Sequence, residues 1–151
     1  MNVLILIHVL SAIVGIGPTF FAHLLTRPNK NVDELRIAMK YMKLLEFFPK
    51  IGGSISVLTG IALFLLGEYG AFTQIWLLGS LILYILIQII VIGFITPSAK
   101  KVIEWLDLPE NHELTGSPPE EIQSALVSIY RLFYLASSLG LLLFIFMILK
   151  P

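Results

Sequence analysis

Four apolar runs, near residues 3–25, 50–67, 75–96 and 126–149, approach or reach the length of about 20 residues that crosses a hydrocarbon core as helix. No water reaches a backbone inside a bilayer, so every N–H and C=O must be paired internally. Runs of this length therefore fold as helices. The rest of the chain agrees: with 57% hydrophobic and 13% charged residues over 151 positions, it lacks the polar side chains to cover a soluble domain. The expected fold is all-α, a single integral domain built as a four-helix transmembrane bundle in direct contact with the lipid bilayer. No lysine or arginine precedes the first run and no small-residue cleavage site follows it, so it reads as a span rather than a leader.

Charge is sorted along the chain. Arg27, Lys30, Arg36, Lys40 and Lys43 lie between the first two runs, with Lys50 at the entry to the second. Lys100 and Lys101 lie between the third and fourth, and Arg131 opens the fourth. The short link "GEYGAFTQ" has no basic residue, and Lys150 alone stands at the other level, which puts nine of ten basic residues on one side. The positive-inside rule then places both charged connections in the cytoplasm, both termini outside, and the protein in the cytoplasmic membrane. Glu46 and Glu68, which flank the second run, should lie at opposite faces.

The first connection should hold an amphipathic helix over about 32–48. Asn31 can cap it with Glu34 three residues on, and Leu35, Ala38, Met39, Met42 and Leu45 recur at helical spacing. Arg36, Lys40 and Lys43 fall beside that stripe. Such a helix suits anionic headgroups, or an extension of the second span across Pro49, rather than nucleic acid. In the second connection "PSAKKVIEWLDL" is a short helix candidate, and Ser117, Pro118 and Glu120 signal the start of the last helix. His112 falls in the polar loop between and reads as solvated.

Projected at 100° per residue, the first span gathers His8, Ser11, Gly15, Thr19, Ala22, His23 and Thr26 on one side. The second does the same with Gly52, Gly53, Ser56, Thr59 and Gly60, the third with Ser80, Tyr84 and Gln88, and the fourth with Ser128, Arg131, Tyr134 and Ser138. These small and polar stripes should face protein, and any left over would suit a homo-oligomer. Pro18 cannot donate to the carbonyl of Val14, so the first span is expected to bend there.

Fifteen residues separate His8 from His23, about 22 Å along a helix, so the two cannot share one ligand within one chain. His8 belongs to an outer level. There Met147 should reach a similar depth and Gly15, two turns along, leaves room for a flat ligand; imidazole with thioether suits haem iron or copper. His23 belongs to an inner level with Lys50, Gln88 and Arg131, a set able to receive an anionic group. No serine–histidine–carboxylate set, glycine-rich phosphate loop or HExxH helix occurs, and there is no cysteine.

The stretches "IHVLSAIVGIGPTFFAHLL" and "PKIGGSISVLTGIALFL" resemble an uncharacterised family of small four-span bacterial integral membrane proteins. More distantly, the chain is similar to the copper-resistance D membrane domain and to the four-span bacterial protoporphyrinogen oxidase. The first likeness implies a copper-transport or copper-binding role for His8. The second implies a haem-proximal role for His8 together with a second-helix lysine, whose nearest counterpart is Lys50 at the start of that helix. Binding of haem or copper through His8 is thus the leading expectation. A small-solute or ion transport module and an accessory subunit without cofactor are the alternatives.

Overall fold

The computed structural model describes residues 1–67 and 69–151, so Glu68 and its expected placement lie outside the described residues. The chain is 82% helical, with no strand among the described residues. Helix α1 covers Asn2–Leu25, α2 Val32–Leu45, α3 Phe47–Leu66 and α4 Ile75–Gln88. A π-helical segment, Ile89–Ile95, continues α4 into α5, Thr96–Leu106, and α6 covers Glu120–Leu149. Taken end to end, four units are long and apolar enough to span a membrane: Asn2–Leu25, Val32–Leu66, Ile75–Leu106 and Glu120–Leu149.

Helix α1 is central. It packs against α3 on one side and α6 on the other, and α6 in turn packs against α4. Of the stripes expected to face protein, that of α1 does so, with Ser11, Gly15, Thr19, Ala22 and Thr26 all buried, whereas that of α6 does not: Ser128, Arg131, Tyr134 and Ser138 are exposed, because α6 packs through the apolar face of Leu126, Ile129 and Phe133. The tightest approach of α1 is to α3. A Cβ placed on Gly15 would lie 2.6 Å from the Gly53 nitrogen, and one on Gly52 would lie 2.6 Å from the Gly15 nitrogen and 2.9 Å from the Ser11 carbonyl oxygen. The helices therefore cross backbone against backbone, as small residues allow in a membrane where lipid is as apolar as leucine. Helical pairing continues through Pro18 to Leu25.

The largest apolar core lies at the basic end of the bundle, not at mid-depth. It joins Val32, Leu35, Ala38, Met39 and Met42 of α2 with Val102 and Leu106 of α5 and with Leu126, Ile129 and Phe133 of α6. The Asn31 capping box forms as the sequence indicates: the side chain accepts from the Glu34 N–H at 2.8 Å and the Asn31 N–H donates to Glu34 Oε2 at 3.3 Å. Of the two arrangements expected for α2, the structure has the extension of the second span: α2 runs on into α3 as one unit, Val32–Leu66, and its apolar stripe meets protein. Instead of lying on headgroups it closes over α5 and the first turns of α6, because those elements present an apolar face of their own at the same level. Ile37, Tyr41 and Leu44, on the opposite side, stay exposed. Arg36 holds the arrangement by donating to the Leu106 carbonyl at 3.3 Å and to the Asn111 carbonyl, while the Asn111 amide donates to the Trp105 carbonyl at 2.7 Å.

The π-helical segment has a local cause. Pro97 has no N–H for the Gly93 carbonyl and its ring crowds that oxygen, so the turn before it widens. Thr96 Oγ1 donates five residues back, to the Val91 carbonyl at 2.9 Å. At the far end of the bundle, Lys150 Nζ sits 5.2 Å from the Trp76 ring centroid and 5.7 Å from that of Tyr69. This aromatic and cationic cap joins the end of α6 to the short link in the manner of an interfacial belt.

Candidate functional site

Because α1 begins at the short-link end, His8 lies in that half of the bundle and turns toward α3. Its Nδ1 is 2.9 Å from the Ser56 carbonyl oxygen and 3.1 Å from Thr59 Oγ1. A carbonyl can only accept, so Nδ1 carries the hydrogen and Nε2 of the neutral ring carries the lone pair. Thr59 spends its own hydrogen on the Ile55 carbonyl at 2.7 Å, which leaves its oxygen free to accept from the imidazole. Gly60 completes the seat, since a Cβ there would lie 3.1 Å from His8 Cε1. Three residues of one turn of α3 thus fix the tautomer and orientation of one half-buried histidine. Sequence projection placed Ser56, Thr59 and Gly60 on the protein-facing stripe but did not connect them to His8.

Two residues expected beside His8 are elsewhere in function or in space. The room assigned to a flat ligand at Gly15 is filled by the backbone of Gly52 and Gly53, so that glycine serves the helix crossing. Met147 packs with Leu83, Ile87 and Leu143 in the α4–α6 cluster, whereas His8 engages α3 on the other side of α1. Among the described residues no group of three or more histidine, aspartate or glutamate side chains is placed to hold a metal ion.

The inner set is dispersed as well. His23 lies against α6, its ring centroid 4.4 Å from that of Tyr134 and 6.2 Å from that of Tyr130. Lys50 is exposed and pairs with Glu46 at 3.0 Å. Arg131 is exposed on α6, and Gln88 is half-buried where α4 meets the π-helical segment. No hydrogen bond or ion pair joins any two of His23, Lys50, Gln88 and Arg131 among the described residues.

A feature invisible in the sequence lies at the basic end, near the level of His23. A small cleft of about 60 Å³ is lined by Pro18 and Thr19 of α1, Glu46 and Pro49 at the α2–α3 junction, and Val91, Ile95 and Thr96 around the π-helical segment. Ala22, Met42, Leu45, Ala99 and Phe133, from regular helix, complete a lining that is mostly apolar. Prolines lack the donor for a carbonyl one turn back, and in a membrane such freed groups are tolerated where they border protein or water.

No curated protein and no solved structure shows significant similarity to the chain. A family does: the one described as "Predicted integral membrane protein (DUF2269)" matches residues 2–151. Four helices long and apolar enough to span a membrane and a sequence match over nearly the full length agree, and the chain belongs to this family of integral membrane proteins.

Proposed function

We propose that this is a multi-pass protein of the cytoplasmic membrane, with both termini outside, that binds haem through Nε2 of His8. The observation that carries the reading is the bond from His8 Nδ1 to the Ser56 carbonyl at 2.9 Å. A histidine ligand typically donates its other ring N–H to a carbonyl or carboxylate, which fixes the ring and raises its basicity. The second contact, to Thr59 Oγ1, and the space left by Gly60 serve the same end. An intramembrane ionisable side chain seated this way on three residues of a neighbouring helix is a functional candidate. Haem is favoured over copper because Met147 packs away from His8, so the soft thioether that would complete a Cu(I) site is not beside it.

When bound, haem would supply one-electron chemistry. The chain's own part is narrower: His8 offers one nitrogen ligand, Ser56 and Thr59 hold it in the correct tautomer, and the exposed apolar side chains of α1 around it keep the level dry. Protein purified in mild detergent from cells supplied with haem precursor should show a Soret band. His8→Ala should abolish that band and His23→Ala should retain it.

A second reading is carried by the cleft near Glu46. Interrupted helices meeting at one level are the usual makings of an ion or solute site in transporters. Its lining is apolar except for Thr19, Glu46 and Thr96, so a proton carried by Glu46 is the occupant it would suit. Ion flux through proteoliposomes that disappears in Glu46→Gln, without change in any haem band, would establish that reading separately.

A further inference from the structure

One apolar stripe of α2 is used up on α5 and α6, yet the opposite side of the same helix is apolar as well. Ile37, Tyr41 and Leu44, four and three residues apart, form one outward face and are 58%, 53% and 60% exposed. A helix with a protein core on one side and water on the other turns polar residues outward, and α2 does not. Its last turn lies beside the last turns of α1. Between them runs a groove of about 280 Å³, lined by Phe21, Leu24 and Leu25 of α1 and Tyr41, Leu44 and Leu45 of α2.

The groove continues the side of α1 that turns away from protein. Leu10, Ile13, Val14, Phe21 and Leu24 are all exposed there, opposite the buried stripe from Ser11 to Thr26. In a helix that spans a membrane this side meets acyl chains, so the groove opens onto hydrocarbon. Its physical character decides what fits. Water needs two to four polar partners, and the lining side chains offer the Tyr41 hydroxyl alone. One turn of a partner helix, about 10 Å across and 5.4 Å long, takes about 420 Å³, more than the groove holds. A second copy is opposed by charge, since Lys40 and Lys43 are exposed beside the outward face of α2 and a symmetric contact would bring both pairs together. A single flexible hydrocarbon chain is narrow, apolar and present in the phase onto which the groove opens.

We propose that this groove seats one acyl chain of a phospholipid in the leaflet at the basic end of the bundle. The last turn of α2 then belongs to the bilayer, with one side on the protein core and the other on lipid. The seat selects for hydrocarbon length and is indifferent to headgroup charge.

Native mass spectrometry of delipidated protein in mild detergent tests this with added dioleoyl phosphatidylcholine, dioleoyl phosphatidylglycerol or dihexanoyl phosphatidylcholine. The wild type should retain one molecule of either dioleoyl lipid and none of the short-chain lipid. Leu24→Ser/Leu44→Ser should weaken retention about tenfold, as expected for lost apolar contact on two leucines. Leu10→Ser/Ile13→Ser removes similar apolar surface from the same side of α1 outside the groove and should leave retention unchanged. All four residues are exposed, so both variants should keep the helicity and monodispersity of the wild type. Absence of retained lipid, retention of phosphatidylglycerol alone, or equal retention of the dihexanoyl lipid would overturn the proposal. So would equal loss in the two serine variants, the result for lipid that merely surrounds the protein, or a lipid-free dimer that Leu24→Ser/Leu44→Ser breaks.

Discussion

Replacing Gly52 by alanine should destabilise the bundle more than any other glycine-to-alanine change at a position without a positive φ. The new Cβ would lie 2.6 Å from the Gly15 nitrogen, 2.8 Å from its Cα and 2.9 Å from the Ser11 carbonyl oxygen. Carbon contacts are comfortable near 3.5 to 4 Å, so α1 and α3 would have to part by about 1 Å. All three atoms are backbone, and no rotamer change relieves them. Overpacking costs about 1 to 3 kcal/mol, and a backbone clash belongs at the upper end. Alanine returns about 1 kcal/mol of helix propensity, which leaves a net loss of about 2 kcal/mol. Gly17→Ala is the internal control, since nothing lies within 4 Å of its Cβ position, and it should be neutral or stabilising by up to about 1 kcal/mol. Reversible unfolding in mixed detergent micelles reads both. Equal stability of Gly52→Ala and wild type would refute the backbone-on-backbone crossing, and with it the geometry that seats His8 on α3.

Three further outcomes follow from the same coordinates. Gly60→Ala would place a methyl 3.1 Å from His8 Cε1 and should shift the bound haem's absorption with little loss of stability, read by visible spectroscopy and melting in detergent. Arg36→Met should cost about 1 to 3 kcal/mol in the same unfolding assay, because the carbonyls of Leu106 and Asn111 lose their donor. The chain has no cysteine, so single cysteines report sidedness cleanly: at Asn2 and Lys150 they should react with an impermeant maleimide from outside, and at Lys40 only after permeabilisation. Labelling of Lys40→Cys in intact cells would invert the topology.

What was legible in the sequence was periodic. Long apolar runs gave the spanning helices, and a polar or small residue at every third or fourth place gave the buried stripe from Ser11 to Thr26. Asn31 and Glu34 announced a capping box because that motif depends on four consecutive residues of local chain. What escaped was pairing between distant segments. The stripe of α2 could have met lipid or protein, and only the presence of α5 and α6 at the same level decided it. Gly15 read as empty space because the sequence does not say which neighbour fills it; here α3 does. Met147 and His8 share a depth on paper, but they look to different sides of α1, a question of rotation that helical rise alone does not answer. The π-helical segment left only a weak trace in Gly93 and Pro97. The convergence of that segment with Pro18 and Pro49 on one cleft had no trace at all.

The reading of His8 as a ligand rests on its Nδ1 being held by α3 while Nε2 remains available, and the visible spectrum of paired variants tests this most directly. Wild-type protein and His23→Ala, purified in mild detergent from cells supplied with haem precursor, should carry the same Soret band. His8→Ala should lack it, and Met147→Leu, which keeps the volume of a side chain packed in the α4–α6 cluster, should leave band and position unchanged. Colourless wild-type protein, or a band that persists in His8→Ala, would contradict the account.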